Sequence, residues 1–435
     1  MKSEHVPYAI TVDELVQRGP EAIPSELVSS AHLIYNSPAA LAFNSPGAQG
    51  FGVKRAGLAI PGSVMLLVGP GCCGRNTTIL SEMGGYSNRF FFYLMDETDI
   101  VTGRHLKKIP QAVCEIVDSL AVRPSVVMIC MTCVDALLGT DMERVCRKAA
   151  DKAGLPVVPC YMYALTREGR KPPMVDVRRA VYSLLEPAPR HRRTVNILGY
   201  FSHLRDTCEL YDILEQLGLR QIQEISRCQN FAEYQALAQA NFNLVLHPEA
   251  RLAALDMEKR LHIPSIELTR LYQIDKIHRQ YQAFASALGG SIDDGAQLQE
   301  TEDLAALMKS RFSGVTAAIG EMQNGNAFDM ALALTQCGMI VKELYANVSA
   351  ADFPYLRKLR EISPHTLVYS NLSPSMLYYE GKEHPVDLTI GKDAAYYHDD
   401  AAHVLWNEEV QPFGYDGVRE WFRQIMAALE GRRRA

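Results

Sequence analysis

Nowhere in this chain do 18 apolar residues run together, so no segment reads as a bilayer-spanning helix. The amino-terminal stretch MKSEHVPYAITVDELVQRGP lacks the apolar core of a secretory signal. Basic patches are equally scarce. Only Arg432, Arg433 and Arg434 stand together, and a formal net charge of -6 gives no electrostatic footing for nucleic acid. These absences predict a cytoplasmic protein with neither membrane nor nucleic acid as a partner. Its ten cysteines then sit in a reducing compartment, where clustered thiols more often serve metals or redox work than disulfides.

Two further absences narrow the chemistry. Gly69 and Gly74 have the separation of a phosphate-binding loop, but Arg75 and Asn76 stand where Lys and Ser/Thr are needed, which argues against direct nucleotide hydrolysis. Cys130 and Cys133 form a single C-x-x-C, compatible with a zinc knuckle, a redox dithiol or coincidence. No second C-x-x-C supplies the other half of a zinc site. Cys130 lies inside an apolar run and reads as a buried, inert thiol.

What is present is an α/β pattern. The 435 residues are 48% hydrophobic and 22% charged, enough for several packed cores. Apolar runs at Val64 to Val68 and Val126 to Met131 read as buried strands, alternating with helices over Ile109 to Leu120 and Asp141 to Ala153. That alternation predicts doubly wound parallel sheets. Pro38 to Gly62 reads as irregular structure near the first strand. The charged, proline-bearing EPAPRHRR at 186–193 marks a boundary, so domains are expected at 1–190, 191–315 and 316–435. The second has its strands at 195–199, 221–225, 244–246 and 265–268. A helix from Leu304 to Glu321 bridges to the third, where helix Ala327 to Gln336 and strands at 339–344, 366–369 and 386–390 follow.

The organising stretch is VMLLVGPGCCGRNTT, Val64 to Thr78, where a strand runs into a glycine-rich loop bearing Cys72 and Cys73. VVMICMTCVDALLGTD, from Val126, repeats the plan and ends its strand at Cys133. Ligands of open α/β sheets bind at such carboxyl ends. Cys73 and Cys133 therefore read as iron–sulfur ligands. Two thiols per chain leave a four-cysteine cluster half filled, so a dimer interface is expected to supply the rest.

The order GPGCCG, TCVDALLGTD, NLVLHPEARLAALDMEKRLHIP, DLTIGKD, FGYDGVREWF resembles the nitrogenase molybdenum–iron protein superfamily over nearly the whole chain. The resemblance implies three Rossmann-like α/β domains, assembly as a homodimer or as a heterotetramer with a paralogous subunit, and electrons delivered by an ATP-hydrolysing iron protein through an interfacial iron–sulfur cluster. Cys73 and Cys133 match two cluster cysteines of that family. A further family cysteine is missing around FNSPGAQGFG, where Asn44 and Ser45 stand, which favours a 4Fe-4S cluster over an eight-iron, P-cluster-like one. Cys72 is a substitute ligand. The nitrogenase cofactor-ligand positions hold His247 and Phe413, so the standard ligand pair is absent. His247 and Cys228 are candidates to bind a second metallocluster or a small-molecule substrate, and His203, Arg251, Tyr396 and His398 are further lining candidates. The implied function is a nitrogenase-like reductase subunit acting on a small molecule. The alternatives are a scaffold for metallocluster assembly and a binding subunit in which both cysteines are structural.

Overall fold

The computed structural model describes residues 6–28, 57–83, 85–161 and 173–434, with the Cys133 thiol outside the described side chains. Asn44, Ser45 and most of the stretch expected to be irregular, 38–62, also fall outside the described residues. A two-residue strand, β1 (Ile10–Thr11), opens the described chain. β2 (Ser63–Gly69), β3 (Phe90–Leu94), β4 (Val126–Met131) and β5 (Val157–Tyr161) then pair in the order β3-β2-β4-β5. β6 (His191–Leu198), β7 (Gln221–Glu224), β8 (Ala240–Val245) and β9 (Ser265–Glu267) pair as β7-β6-β8-β9. The third sheet takes β10 (Thr316–Ile319), β11 (Ile340–Tyr345), β12 (Leu367–Tyr369), β13 (Leu388–Ile390) and β14 (Ala402–Val404) with β1, in the order β1-β12-β11-β10-β13-β14. Every pairing is parallel except β1 with β12.

Burial on both faces explains why β2 and β4 read as unbroken apolar runs rather than alternating ones. Val64, Leu66 and Val68 face one core with Val127, Ile129 and Met131. Met65 and Leu67 face another with Met128 and Cys130. That second core also takes Leu198, Val245 and Met257, so the first two sheets share it. Each such side chain, fully buried, contributes roughly 1.5–3 kcal/mol. The chain divides into two compact units, one built from 46–203 and 219–269, the other from the described parts of 1–45 with 204–218 and 270–435.

In each sheet the first strand of the parallel set lies inside, and later strands add on either side. The order therefore reverses between β2 and β4, between β6 and β8, and between β10 and β13. Such switch points open a crevice at the carboxyl ends of the strands.

One expected element is corrected. The helix expected over Leu304 to Glu321 is instead a helix at Gly295–Phe312 followed by β10. Gly314, with φ +82°, ends the helical path. The Ala-rich Thr316–Ile319 has weak intrinsic strand preference and is held extended by β11 and β13 on its two sides. Apolar spacing predicts a helix over Leu204 to Leu217, and the structure forms it only over Leu210–Gln216.

The FGYDG turn shows how a motif near the end of the chain is built. Glu209, 3% exposed, accepts from the Tyr281 hydroxyl at 2.8 Å and from the backbone N–H groups of Tyr415 (2.6 Å) and Asp416 (2.9 Å), at the start of the helix Gly414–Arg434. A Cβ on Gly414 would sit 1.9 Å from the Glu209 carboxylate, and φ there is +60°, so only glycine fits. Replacing Glu209 with Leu orphans three donors. We expect a loss of about 2 kcal/mol or more, seen as a fall in Tm of roughly 4–8 °C by calorimetry.

Candidate functional site

The switch point between β2 and β4 carries the cysteines. Val68 pairs with Met131, so the next residues, Gly69 and Thr132, lie side by side at the strand ends. An ideal Cβ on Gly69 would lie 2.5 Å from Thr132 Cγ2, so this close approach requires glycine. Beyond Gly69, the helix Gly71–Met83 carries Cys72, exposed, and Cys73, half-buried against the core shared by the first two sheets. Beyond Thr132, Cys133 is the first residue of the short helix Cys133–Leu137. Backbone topology thus brings residues 73 and 133 to one edge of one sheet. Cys130 is fully buried in β4 opposite Cys160, as its inert reading expects.

Among the described residues no three His, Cys, Asp or Glu side chains converge as a metal site. The β2–β4 edge nevertheless has features that fit a cluster. A partly accessible thiol stands at the start of a helix, and the Thr132 hydroxyl, fully buried, has no hydrogen-bond partner. Sequence reading missed the buried contacts of Asp135, two positions after Cys133. His105 (1% exposed) places Nδ1 2.9 Å from the Asp99 carbonyl and Nε2 3.3 Å from Asp135 Oδ1. Burial pushes the Asp135 carboxyl up, with His105 and Thr140 opposing. A lone histidine 28 residues before Cys133 carries no local signal of that pairing.

The second switch point, between β6 and β8, holds His247. Its ring caps the turn Pro248–Ala250 by accepting from the Glu249 N–H at Nδ1, 3.3 Å, which leaves the ring proton on Nε2. A metal at Nε2 would displace that proton and the cap. Beneath it, the 6%-exposed Arg178 donates to Gly199 O (3.0 Å), Met174 O (3.1 Å) and Glu249 Oε2 (2.6 Å), and stacks on Phe201 at 4.7 Å. Cys228 follows β7 on the same sheet, half-buried against the same core as Cys73, with its thiol donating to Glu224 O at 3.6 Å. Burial pushes that thiol up to about 11, so a ligand role requires a metal to displace its proton.

The other candidates disperse. Phe413 is a core residue, 1% exposed. Arg251 is paired with Glu267 at 2.6 Å, His203 is half-buried, and Tyr396 is exposed. His398 is buried, sharing Glu343 Oε2 with Tyr345 and Tyr379 at 2.7–2.9 Å.

The third switch point was not read from sequence at all. Glu321 follows β10, Asn347 follows β11, Ser370 and Asn371 follow β12, and Asp393 follows β13. Asp393, 1% exposed, accepts from the N–H groups of Glu321 (2.7 Å) and Met322 (3.2 Å) and from Asn371 Nδ2 (2.6 Å). Asn347 Nδ2 reaches both Glu321 oxygens at 2.8 and 3.0 Å. Burial pushes the half-buried Glu321 up to about 7, the Asn347 amide opposing and Asp393 adding to it. A carboxyl raised above its ordinary value loses folded-state stability as the pH rises through the shifted value. Relative to the parent, Glu321→Gln should therefore gain on the order of 1–3 kcal/mol between about pH 5 and about pH 8. Paired denaturation curves at the two pH values check this, and a constant difference would refute it.

Comparison with known proteins follows the same lines. The chain is 29% identical over 258 residues to the nitrogenase iron-molybdenum cofactor biosynthesis protein NifE of Nostoc sp., covering 55% of this chain and 52% of that protein. It therefore spans about half the length of that relative. With the NifE of Mesorhizobium japonicum it shares 26% over 355 residues, 77% of this chain and 71% of the relative. The fold is similar to a solved structure of nitrogenase Cp1 at pH 6.5, with TM-score 0.71 at 16% identity, covering 88% of this chain and 92% of that one. Residues 48–430 match the model of the nitrogenase component 1 type oxidoreductase family, and the chain belongs to that family.

Proposed function

We propose that this chain is a subunit of a scaffold on which a nitrogenase-type metallocluster is assembled and passed on, with a resident iron–sulfur cluster held by Cys73 and Cys133 and with Cys72 as a further ligand candidate. The observation that carries the reading is the nature of the positions matched to cofactor ligands. Phe413 has no donor atom, and His247 spends Nδ1 on a helical cap. Groups of that kind hold a cargo cluster weakly, which suits release. The relatives named as cofactor biosynthesis proteins support the same reading.

The resident cluster, when bound, accepts and passes on single electrons. The chain's own residues do the rest. Cys73 and Cys133 supply thiolates from two neighbouring strand ends, and two copies, or one copy with a paralogous subunit, complete four ligands. An ATP-hydrolysing iron protein is the proposed electron donor. His247, with Cys228 on the same sheet edge, is the proposed contact for the cargo cluster.

A second reading, a reductase that turns over a small molecule, is favoured by Glu321. A half-buried carboxyl titrating near neutrality at a sheet's switch point is suited to delivering protons to a reduced substrate.

Iron and acid-labile sulfide should be measured on anaerobically purified protein. About two irons per chain, lost in Cys73→Ala and in Cys133→Ala, are expected for a four-iron cluster shared by two chains. After iron and sulfide reconstitution, any iron beyond that should move to a cofactor-free nitrogenase component 1 on mixing. Substrate reduction coupled to ATP hydrolysis, without transfer, would favour the reductase. Protein without iron, unchanged by either substitution, would sink both readings.

A further inference from the structure

Thr132 presents a buried hydroxyl with nothing to bond, at the one place where the two cysteine-bearing strand ends touch. Its Oγ1 lies 3.1 Å from where a Cβ on Gly69 would be, so the hydroxyl sits between the ends of β2 and β4. The side chain is wholly inaccessible, and a hydroxyl so placed without a partner is costly.

Local sequence offers it a partner that the fold declines. Thr132, Cys133, Val134 and Asp135 have the T-x-x-D spacing of a capping box, in which Thr132 would accept from the Asp135 N–H and Asp135 would reach back to the Thr132 N–H. Elsewhere the chain closes such boxes. Thr11 and Glu14 make both bonds, as do Ser349 and Asp352. At Thr132 the hydroxyl's half of the box is not made, and the Asp135 carboxylate has other contacts. Its Oδ1 lies 3.3 Å from His105 Nε2 and accepts from the Thr140 hydroxyl at 3.3 Å. His105 is itself fixed by the Asp99 carbonyl, 2.9 Å from Nδ1, and Asp99 by Tyr93 and Arg104, each at 2.7 Å. A buried chain of contacts thus holds the Asp135 side chain, and the Thr132 hydroxyl beside it is left without a partner.

We propose that Thr132 is a positioning and tuning residue of the cluster site, its hydroxyl donating a hydrogen bond to a sulfur of the cluster held at Cys73 and Cys133. This rests on the reading of Cys73 and Cys133 as cluster ligands. The step it affects is the gain of one electron by the cluster from an external reductant. No covalent bond forms or breaks, and Thr132 keeps its proton. A donor to cluster sulfur stabilises the more negative, reduced state and raises the potential.

Two substitutions separate hydroxyl from shape. Thr132→Val keeps the volume and removes the donor, while Thr132→Ser keeps the donor. Each is purified anaerobically as the full chain and titrated with dithionite under electron paramagnetic resonance, with iron and sulfide counted. Thr132→Val should retain parental iron with a more negative midpoint, the reduced-to-oxidised ratio at a fixed potential falling about tenfold, which is about 59 mV for one electron. Thr132→Ser should lie near the parent. In metal-free protein Thr132→Val should melt no lower than the parent, since it removes only an unsatisfied group. A midpoint and spectrum for Thr132→Val identical to the parent would overturn the inference while leaving the cluster reading intact, and so would a Thr132→Ser variant as shifted as Thr132→Val. A parent without iron would overturn the cluster reading and this inference with it.

Discussion

The approach of β2 to β4 at Gly69 is the constraint on which the candidate cluster site depends. Parallel pairing in register brings Val68 opposite Met131, and the absence of a side chain at 69 lets Thr132 close over the strand end. A methyl group there would force the two loops apart. Every later feature of that edge follows from this contact: the half-buried Cys73, the helix that begins at Cys133, and the hydroxyl sealed between them.

The same logic repeats with different chemistry in the other sheets. Each begins with an interior strand and reverses its order once, and each reversal gathers polar side chains at the carboxyl edge. Sulfur stands at the first, imidazole and guanidinium at the second, carboxyl and amide at the third. The third is the most finished. Asp393 accepts from three N–H donors, and burial pushes both its carboxyl and that of Glu321 up. The candidate cluster cysteines and the raised carboxyl of Glu321 thus lie on different sheets of one chain.

How much of this was legible in the sequence depended on which residues carried the signal. β4 and the helices Arg251–Leu261 and Ala327–Gln336 were readable to the residue, because apolar continuity or helical spacing is local. β10 was not, since its alanines favour helix and only its neighbours hold it extended. Nor were β1, β3 and β14, two of them no longer than three residues. Of the candidate site, Cys73 and Cys133 were visible because each follows an apolar strand run. His105 and Glu321 were invisible, because each is paired with a residue 26 or more positions away, His105 with Asp135 and Glu321 with Asn347. His247 was seen as a residue but not in its capping role, which depends on a tautomer that no sequence motif specifies.

The antiparallel β1 covers one border of the third sheet. Two residues, Ile10 and Thr11, lie against Val368 and Leu367, and the following helix Val12–Arg18 begins with the Thr11 capping box. Without them β12 would be the rim of a flat parallel sheet, offering unpaired amide and carbonyl groups to any other extended chain. The first described segment therefore acts as a hem on the third sheet. A chain clipped after Arg18 would trade a closed border for an adhesive one, and its failure would take the form of self-association rather than loss of the candidate sites at the carboxyl edges.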